Sequence, residues 1–319
     1  MNATSRAVAV GLAAALIQAV MLIAFAWPAA NMKPHDLPLV VAGPQAPMVA
    51  GKLAEHDREA FAITTVADEA AARTAIDDRD AYGAIVTGGG APRVLVASAA
   101  SPVVAQQLTA IAQQLSGAPA APVQDVVPAD PDDPRGAAFG AMVLPLVMAG
   151  IAAGVLLSLL VPTIGTRLLG LVTFGIAAGL LSMAVAQGWF QVLPGSYLTL
   201  SVIAGLVSFA VAGTIVGLFS VMGEAGIGLG ALLMLLIGNP FSAATSAPEM
   251  LPQPWGEIGQ LLPPGAAATL LRSVAFFDGN GAMAPLIVLL CWAGAALALL
   301  GVAALRPRRA ALSPEPVAA

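Results

Sequence analysis

The chain has 319 residues, of which 58% are apolar and only 10% charged, against about a quarter charged in an ordinary soluble domain. With a mean hydropathy of +0.87, it holds more apolar surface than one core can hide behind a charged exterior, which excludes a soluble globular protein. A net charge of -5 without a long Lys/Arg run argues against nucleic acid as a partner, and a single cysteine, Cys291, excludes an internal disulfide and a Cys-based zinc site.

The charges divide the chain. Residues 28–137 hold 20 of the 31 charged side chains, whereas residues 138–305 hold only Arg167, Glu224, Glu249, Glu257, Arg272 and Asp278. A polar insert therefore separates one apolar segment from a long apolar block. The expected fold is an α-helical multi-pass membrane protein of six spans, with an extracytoplasmic α/β domain inserted between spans one and two.

Ala7 to Trp27 is the first stretch long enough to cross a bilayer, which needs about 20 apolar residues. It reads as a retained span rather than a cleaved signal peptide, because it is too long for a signal peptide's apolar core. Residues 1–27 thus form the first unit. Residues 28–118 alternate β-type and helical runs: strands at Leu37 to Val41, Phe61 to Thr65, Ala81 to Val86 and Arg93 to Ala97; helices at Met48 to His56, Asp68 to Asp77 and Pro102 to Leu115. Gly88-Gly89-Gly90 reads as a hairpin turn, Ser101 as a helix cap, and Val123 to Val127 as a last strand. Residues 119–137, rich in Pro and Asp, read as a solvated connector; Asp132-Asp133-Pro134 lacks the spacing of a calcium loop.

Residues 138–238 hold the next four spans: Ala138 to Val161, Arg167 to Trp189, Tyr197 to Met222, and a short fifth at Ile227 to Gly238. In residues 239–282, Asn239-Pro240 ends the fifth span and five further prolines follow. Trp255 to Leu262 and Ala266 to Phe277 are helical but too short to cross, so a re-entrant or interfacial hairpin on the outer side is expected. Met283 to Leu305 is the sixth span, and residues 306–319 form the tail. Short-loop Lys/Arg bias places Arg6, Arg167, Arg306, Arg308 and Arg309 inside. The expected location is the inner (cell) membrane, with both termini cytoplasmic and residues 28–137 outside.

The spans contain Gly150-x-x-x-Gly154, Gly175-x-x-x-Gly179, Gly213-x-x-x-Gly217 and Gly226-x-x-x-Gly230, a spacing that lets helix backbones approach. Packing within the chain is the expected use, ahead of a dedicated dimer face. No P-loop and no Gly-x-Ser-x-Gly elbow occurs, and His35 and His56 lie in different elements without metal-ligand spacing. No enzyme, cofactor or metal is therefore expected. The candidate gating or cargo residues are Pro145, which can kink the second span, and Asn239, Glu249, Glu257, Arg272 and Asp278 around the hairpin. The four charged ones are expected either to pair in structural salt links, the favoured reading, or to touch cargo. Glu224, in a cytoplasmic turn, is the candidate for coupling to an inner partner.

Several stretches carry a resemblance: Asp133-Pro134-Arg135-Gly136 leading into Leu144-Pro145-Leu146, Gly238-Asn239-Pro240-Phe241-Ser242 with Pro248 to Trp255, Leu262-Pro263-Pro264-Gly265, and Phe276-Phe277-Asp278-Gly279. Together with the layout they resemble the ABC-2-type transporter permeases, most closely the YhgE/Pip-like (phage-infection-protein-like) branch. The resemblance implies a permease working as a homo- or heterodimer among membrane lipids. It also implies a separate ATP-binding-cassette subunit that drives outward movement of lipids, glycans, peptides or drugs.

Overall fold

A computed structural model of the chain describes residues 2–56, 58–88, 92–116 and 123–306. Helix α1 (Ala3–Ala30) starts where Asn2 Oδ1 accepts the amide of Ser5 at 2.9 Å, which satisfies one free N–H of the first turn. Its apolar residues run all round, and Pro28 alone is buried. A helix apolar on every side with no protein cover suits lipid on every side.

Five strands follow before the next long helix: β1 (Leu37–Ala42), β2 (Phe61–Val66), β3 (Gly83–Val86), β4 (Arg93–Val96) and β5 (Val123–Asp125). They form one sheet in the order β2-β1-β3-β4-β5, parallel except for the antiparallel β3–β4 pair. The expected hairpin is therefore present, although Gly89 and Gly90 of its turn lie outside the described residues. Helices α2 (Ala46–His56), α3 (Glu69–Asp77) and α4 (Pro102–Ser116) cover both faces, so β1 is a nearly continuous apolar run, as a central parallel strand requires. Leu37, Leu39 and Val41 face α2 and α4; Val40 and Ala42 face Ala72 and Ile76 of α3. Ser101 Oγ accepts the amide of Val104, and Asp68 Oδ1 that of Ala71, so both helices begin where their capping residues stand.

Among the described residues, five helices are long and apolar enough to cross a membrane: α1, α5 (Ala137–Leu160), α6 (Ile164–Gly188), α7 (Tyr197–Met222) and α11 (Met283–Leu305). The expected fifth span is shorter than the others. It consists of α8 (Glu224–Leu232), nine residues, and a six-residue π-helical segment over Leu233–Gly238. At about 1.5 Å per residue it reaches only part of a hydrocarbon layer about 30 Å thick.

Helix α7 is the axis of the bundle, with Leu200, Ala204, Val207, Val211 and Ile215 fully enclosed. The glycine pairs explain how. Gly154 approaches Ala212 and Ile215, and Gly175 and Gly179 approach Gly205 and Ser201. Gly213 and Gly217 approach Ala296 and Leu299 of α11, and Gly226 and Gly230 approach Leu218 and Ile215. All four motifs pack helices of this chain against or around α7, so the expectation of internal packing is met.

One described residue of the connector departs from the expected solvated state. Asp133 is buried, and its two carboxylate oxygens accept the amides of Ala138 and Phe139 at 3.1 and 2.8 Å. Gly136 at the start of α5 carries no side chain to cap it, so Asp133 serves the free amides of the first turn and its charge suits the positive end of the helix.

Candidate functional site

After the π-helical segment the chain folds back as a broken hairpin: a 3-10 turn at Pro248–Met250, α9 (Trp255–Gln260) and α10 (Pro263–Phe276). Proline at the first positions of α10 suits a helix start, where no amide donor is needed. Three glycines let the hairpin close on itself. A Cβ on Gly256 would lie 2.1 Å from the Pro248 carbonyl oxygen, on Gly259 1.8 Å from that of Phe241, and on Gly265 2.1 Å from that of Gly259.

The hairpin is joined to the α/β unit. The amides of Lys33 and His35 donate to the carbonyls of Met250 and Glu249. Met250 and Ala247 enter the core on one sheet face, and Phe277 enters the core on the other. Arg79, in the turn after α3, donates to Ser273 Oγ at 2.5 Å and to the Thr269 carbonyl at 3.2 Å, and its guanidinium lies over the Phe277 ring. Asn280 donates back to the Asp77 carbonyl and to Asp78.

Between the unit, the hairpin and the start of α11 lies a cavity of about 570 Å³. Its lining includes the polar side chains of Arg79, Tyr82, Glu249 and Arg272 and the apolar ones of Leu261, Pro285 and Val288. The Tyr82 hydroxyl donates to Glu249 Oε2 at 2.9 Å. Burial, and next the Glu249 carboxylate, raise the phenol far above its ordinary range, so Tyr82 stays a donor at any working pH.

Arg272 is the unusual group. It is 5% exposed, and among the described residues its guanidinium makes one hydrogen bond, from Nη2 to the Ala244 carbonyl at 2.9 Å, and lies over the Phe139 ring. A guanidinium has five N–H donors. Among the described residues, neither Arg272 nor Arg79 has a carboxylate oxygen within 4.0 Å. Burial, and next the charge of Arg79, push Arg272 down to about 10, which leaves it charged at neutral pH. Burial likewise lowers Arg79. A buried charge without a counter-ion is costly. In the same cavity wall, His35 Nδ1 is buried with no hydrogen-bond partner among the described residues.

Of the residues singled out from sequence, the fold brings Glu249, Glu257 and Arg272 into this cavity, with Glu257 exposed at its rim. The favoured salt links are not made: none of Glu249, Glu257, Arg272 and Asp278 forms an ion pair among the described residues. Asp278 lies in the turn after α10, exposed. Asn239 ends the π-helical segment and its carbonyl accepts the amide and hydroxyl of Ser242. Pro145 sits on the exposed side of α5, and Glu224 is exposed in the first turn of α8 at the far end of the bundle. These four residues do not line the cavity. Sequence reading did not single out Arg79 or Tyr82, and it set His35 aside for lack of metal-ligand spacing. Arg79 stands among Asp77, Asp78 and Asp80 and has the pattern of a solvated turn; only the scarcity of tyrosine, two in the chain, marks Tyr82.

The opposite end is plainer. Arg167 donates to the carbonyls of Val161 and Ser158 and to Ser220 Oγ, and Arg306 donates to the Val221 carbonyl. Both arginines hold helix ends together there. Comparison of the chain with protein-family models, with curated proteins and with solved structures gave no match, so the site stands on its own geometry.

Proposed function

We propose that the chain is the membrane permease of an ABC-2-like exporter, moving a lipid, glycan, peptide or drug-like cargo outward with energy from a separate ATP-binding-cassette subunit. In this reading the chain crosses the membrane six times. The short segment of α8 and its π-helical extension makes the fifth crossing and hands the chain to the broken hairpin at the outer face. The α/β unit lies outside, Arg6, Arg167 and Arg306 inside, and a second permease copy or related subunit completes a dimer in the inner membrane. The observation that carries it is the cavity itself: a chamber at the end of a helix bundle, lined by the hairpin and the α/β unit, with a buried cation that has no ion-pair partner among the described residues. A protein that only anchors a folded unit has no need of such a chamber at the bundle end.

A second reading also has an observation in its favour. The turns at the far end are short, with Val161–Thr163 between α5 and α6 and Gly223 alone between α7 and α8. They offer a cytoplasmic ATPase little surface, which suits a non-transporting receptor or accessory protein whose external unit binds an envelope component. Affinity purification in a mild detergent separates the two. The exporter reading expects a stoichiometric ATP-binding-cassette subunit to co-purify, and gene deletion to abolish ATP-dependent efflux of at least one envelope-active compound. Purification of the chain alone, with every tested efflux rate unchanged by deletion, would transfer the protein to the accessory class.

A further inference from the structure

The cavity lining combines charged and apolar groups. It includes Arg79 and Arg272, with Glu249 engaged by the Tyr82 hydroxyl and His35 Nδ1 without a hydrogen-bond partner among the described residues. The formal charge of Arg79, Arg272 and Glu249 together is +1. The other acidic residues of the lining, Asp36 and Glu257, are exposed. The same lining includes Leu261, Ala284, Pro285 and Val288. The last three lie in the first two turns of α11, one of the helices apolar enough to span a membrane. Leu261 and the neighbouring Ile287 and Leu290 of α11 are exposed and apolar. The chamber therefore reaches from a buried cation to the apolar surface of a span.

We infer that this cavity binds the anionic head of a lipid-like amphiphile, with the phosphodiester or carboxylate on Arg272 and Arg79 and the acyl part against Leu261, Ala284 and Val288. A planar guanidinium with four donors unused among the described residues suits a two-oxygen anion, and charge-assisted hydrogen bonds of this kind are the strong ones. The Tyr82 hydroxyl holds Glu249, so that carboxylate is occupied by a neutral donor and leaves the guanidiniums to the ligand. An anion there also removes the cost of a buried charge without a counter-ion. A small hydrophilic anion would use only the charged part of the lining; an amphiphile uses the apolar part as well. As a statement about cargo this rests on the exporter reading, whereas as a binding site it stands apart from it.

The test is binding of dioctanoyl phosphatidylglycerol to the full chain in a neutral detergent, followed by native mass spectrometry and by thermal shift. One molecule is expected per chain, with dioctanoylglycerol, which lacks the anion, binding at least tenfold more weakly. Arg272→Gln and Arg79→Gln are each expected to weaken the phospholipid about tenfold or more. Arg73→Gln, whose guanidinium bonds Glu69 and Gln124 outside the cavity, should change nothing. The comparison of the two ligands on the unaltered chain keeps the test decisive if a variant fails to fold. Equal binding of the two ligands, or equal losses in Arg73→Gln and Arg272→Gln, overturns the assignment. Displacement of the phospholipid by equimolar inorganic phosphate overturns its amphiphile half. Binding as expected without any efflux leaves the site in place and removes the exporter reading; efflux without binding does the reverse.

Discussion

Gly259→Ala is expected to unfold the broken hairpin, lower the thermal midpoint of the purified protein by several degrees and empty the cavity of ligand. The added Cβ would sit 1.8 Å from the Phe241 carbonyl oxygen and 2.6 Å from its carbon. Both are backbone atoms with no rotamer to change, so a segment must move. Phe241 is itself held between the rings of Trp27 and Trp255, at 6.4 and 5.0 Å, and a shift there detaches the end of α1 as well. The cost is expected to reach about 3 kcal/mol, the upper end for overpacking. Gly228→Ala is the control: a Cβ there meets nothing within 4 Å, and alanine in the middle of a helix is favoured over glycine by about 1 kcal/mol. Scanning fluorimetry on the two variants should give a large drop and none. Equal midpoints would mean that the hairpin does not close on Gly259.

The second large effect concerns the bundle. In Gly179→Leu, the Cβ would lie 2.2 Å from the Ser201 carbonyl oxygen and 2.8 Å from the Gly205 amide, so α6 must separate from α7 along their whole contact. In lipid nothing apolar is gained by bringing helices together, and close backbone packing carries the association. The variant is expected to lose about 3 kcal/mol or more and to pass into aggregates on detergent extraction. Gly188→Leu, at the end of the same helix and with open space around it, should extract as the unaltered chain does. Size-exclusion profiles of the two variants check this, and a monodisperse Gly179→Leu at unaltered yield would contradict the packing around α7.

These two effects also show where sequence was sufficient. The spacing of Gly175 and Gly179 marks a small-residue face, and that face is used; the partner, α7, is not legible because any other span could fill it. Strands β1 to β4 follow from short β-branched runs and their turns, and the starts of α3 and α4 from Asp68 and Ser101, because capping and alternation are local effects. The cavity is not local. Tyr82 and Glu249 stand 167 residues apart, and Arg79 meets Ser273 across 194. In the sequence Arg79 is one base among three acids, and nothing there distinguishes a docking guanidinium from a solvated one. Asp133 misled in the same way: a Pro/Asp-rich stretch reads as solvated, yet the α5 amides, with only glycine at the cap, draw that carboxylate inward. The fifth span fell short because its apolar run ends at Asn239-Pro240, which length alone already hinted.

The α/β unit and the hairpin share core residues on both sheet faces, so both lie at one end of the bundle, and the short turns at Val161–Thr163 and Gly223 lie at the other. Whether the chamber faces outward therefore depends on which end faces the cytoplasm. In a Cys291→Ala background, Asp80→Cys and Glu224→Cys place single thiols at exposed positions of the two ends. A membrane-impermeant maleimide applied to intact spheroplasts should label Asp80→Cys fully and Glu224→Cys only after permeabilisation. Labelling of Glu224→Cys in intact spheroplasts, with Asp80→Cys protected until they are opened, would turn the molecule over and contradict an outward-facing chamber.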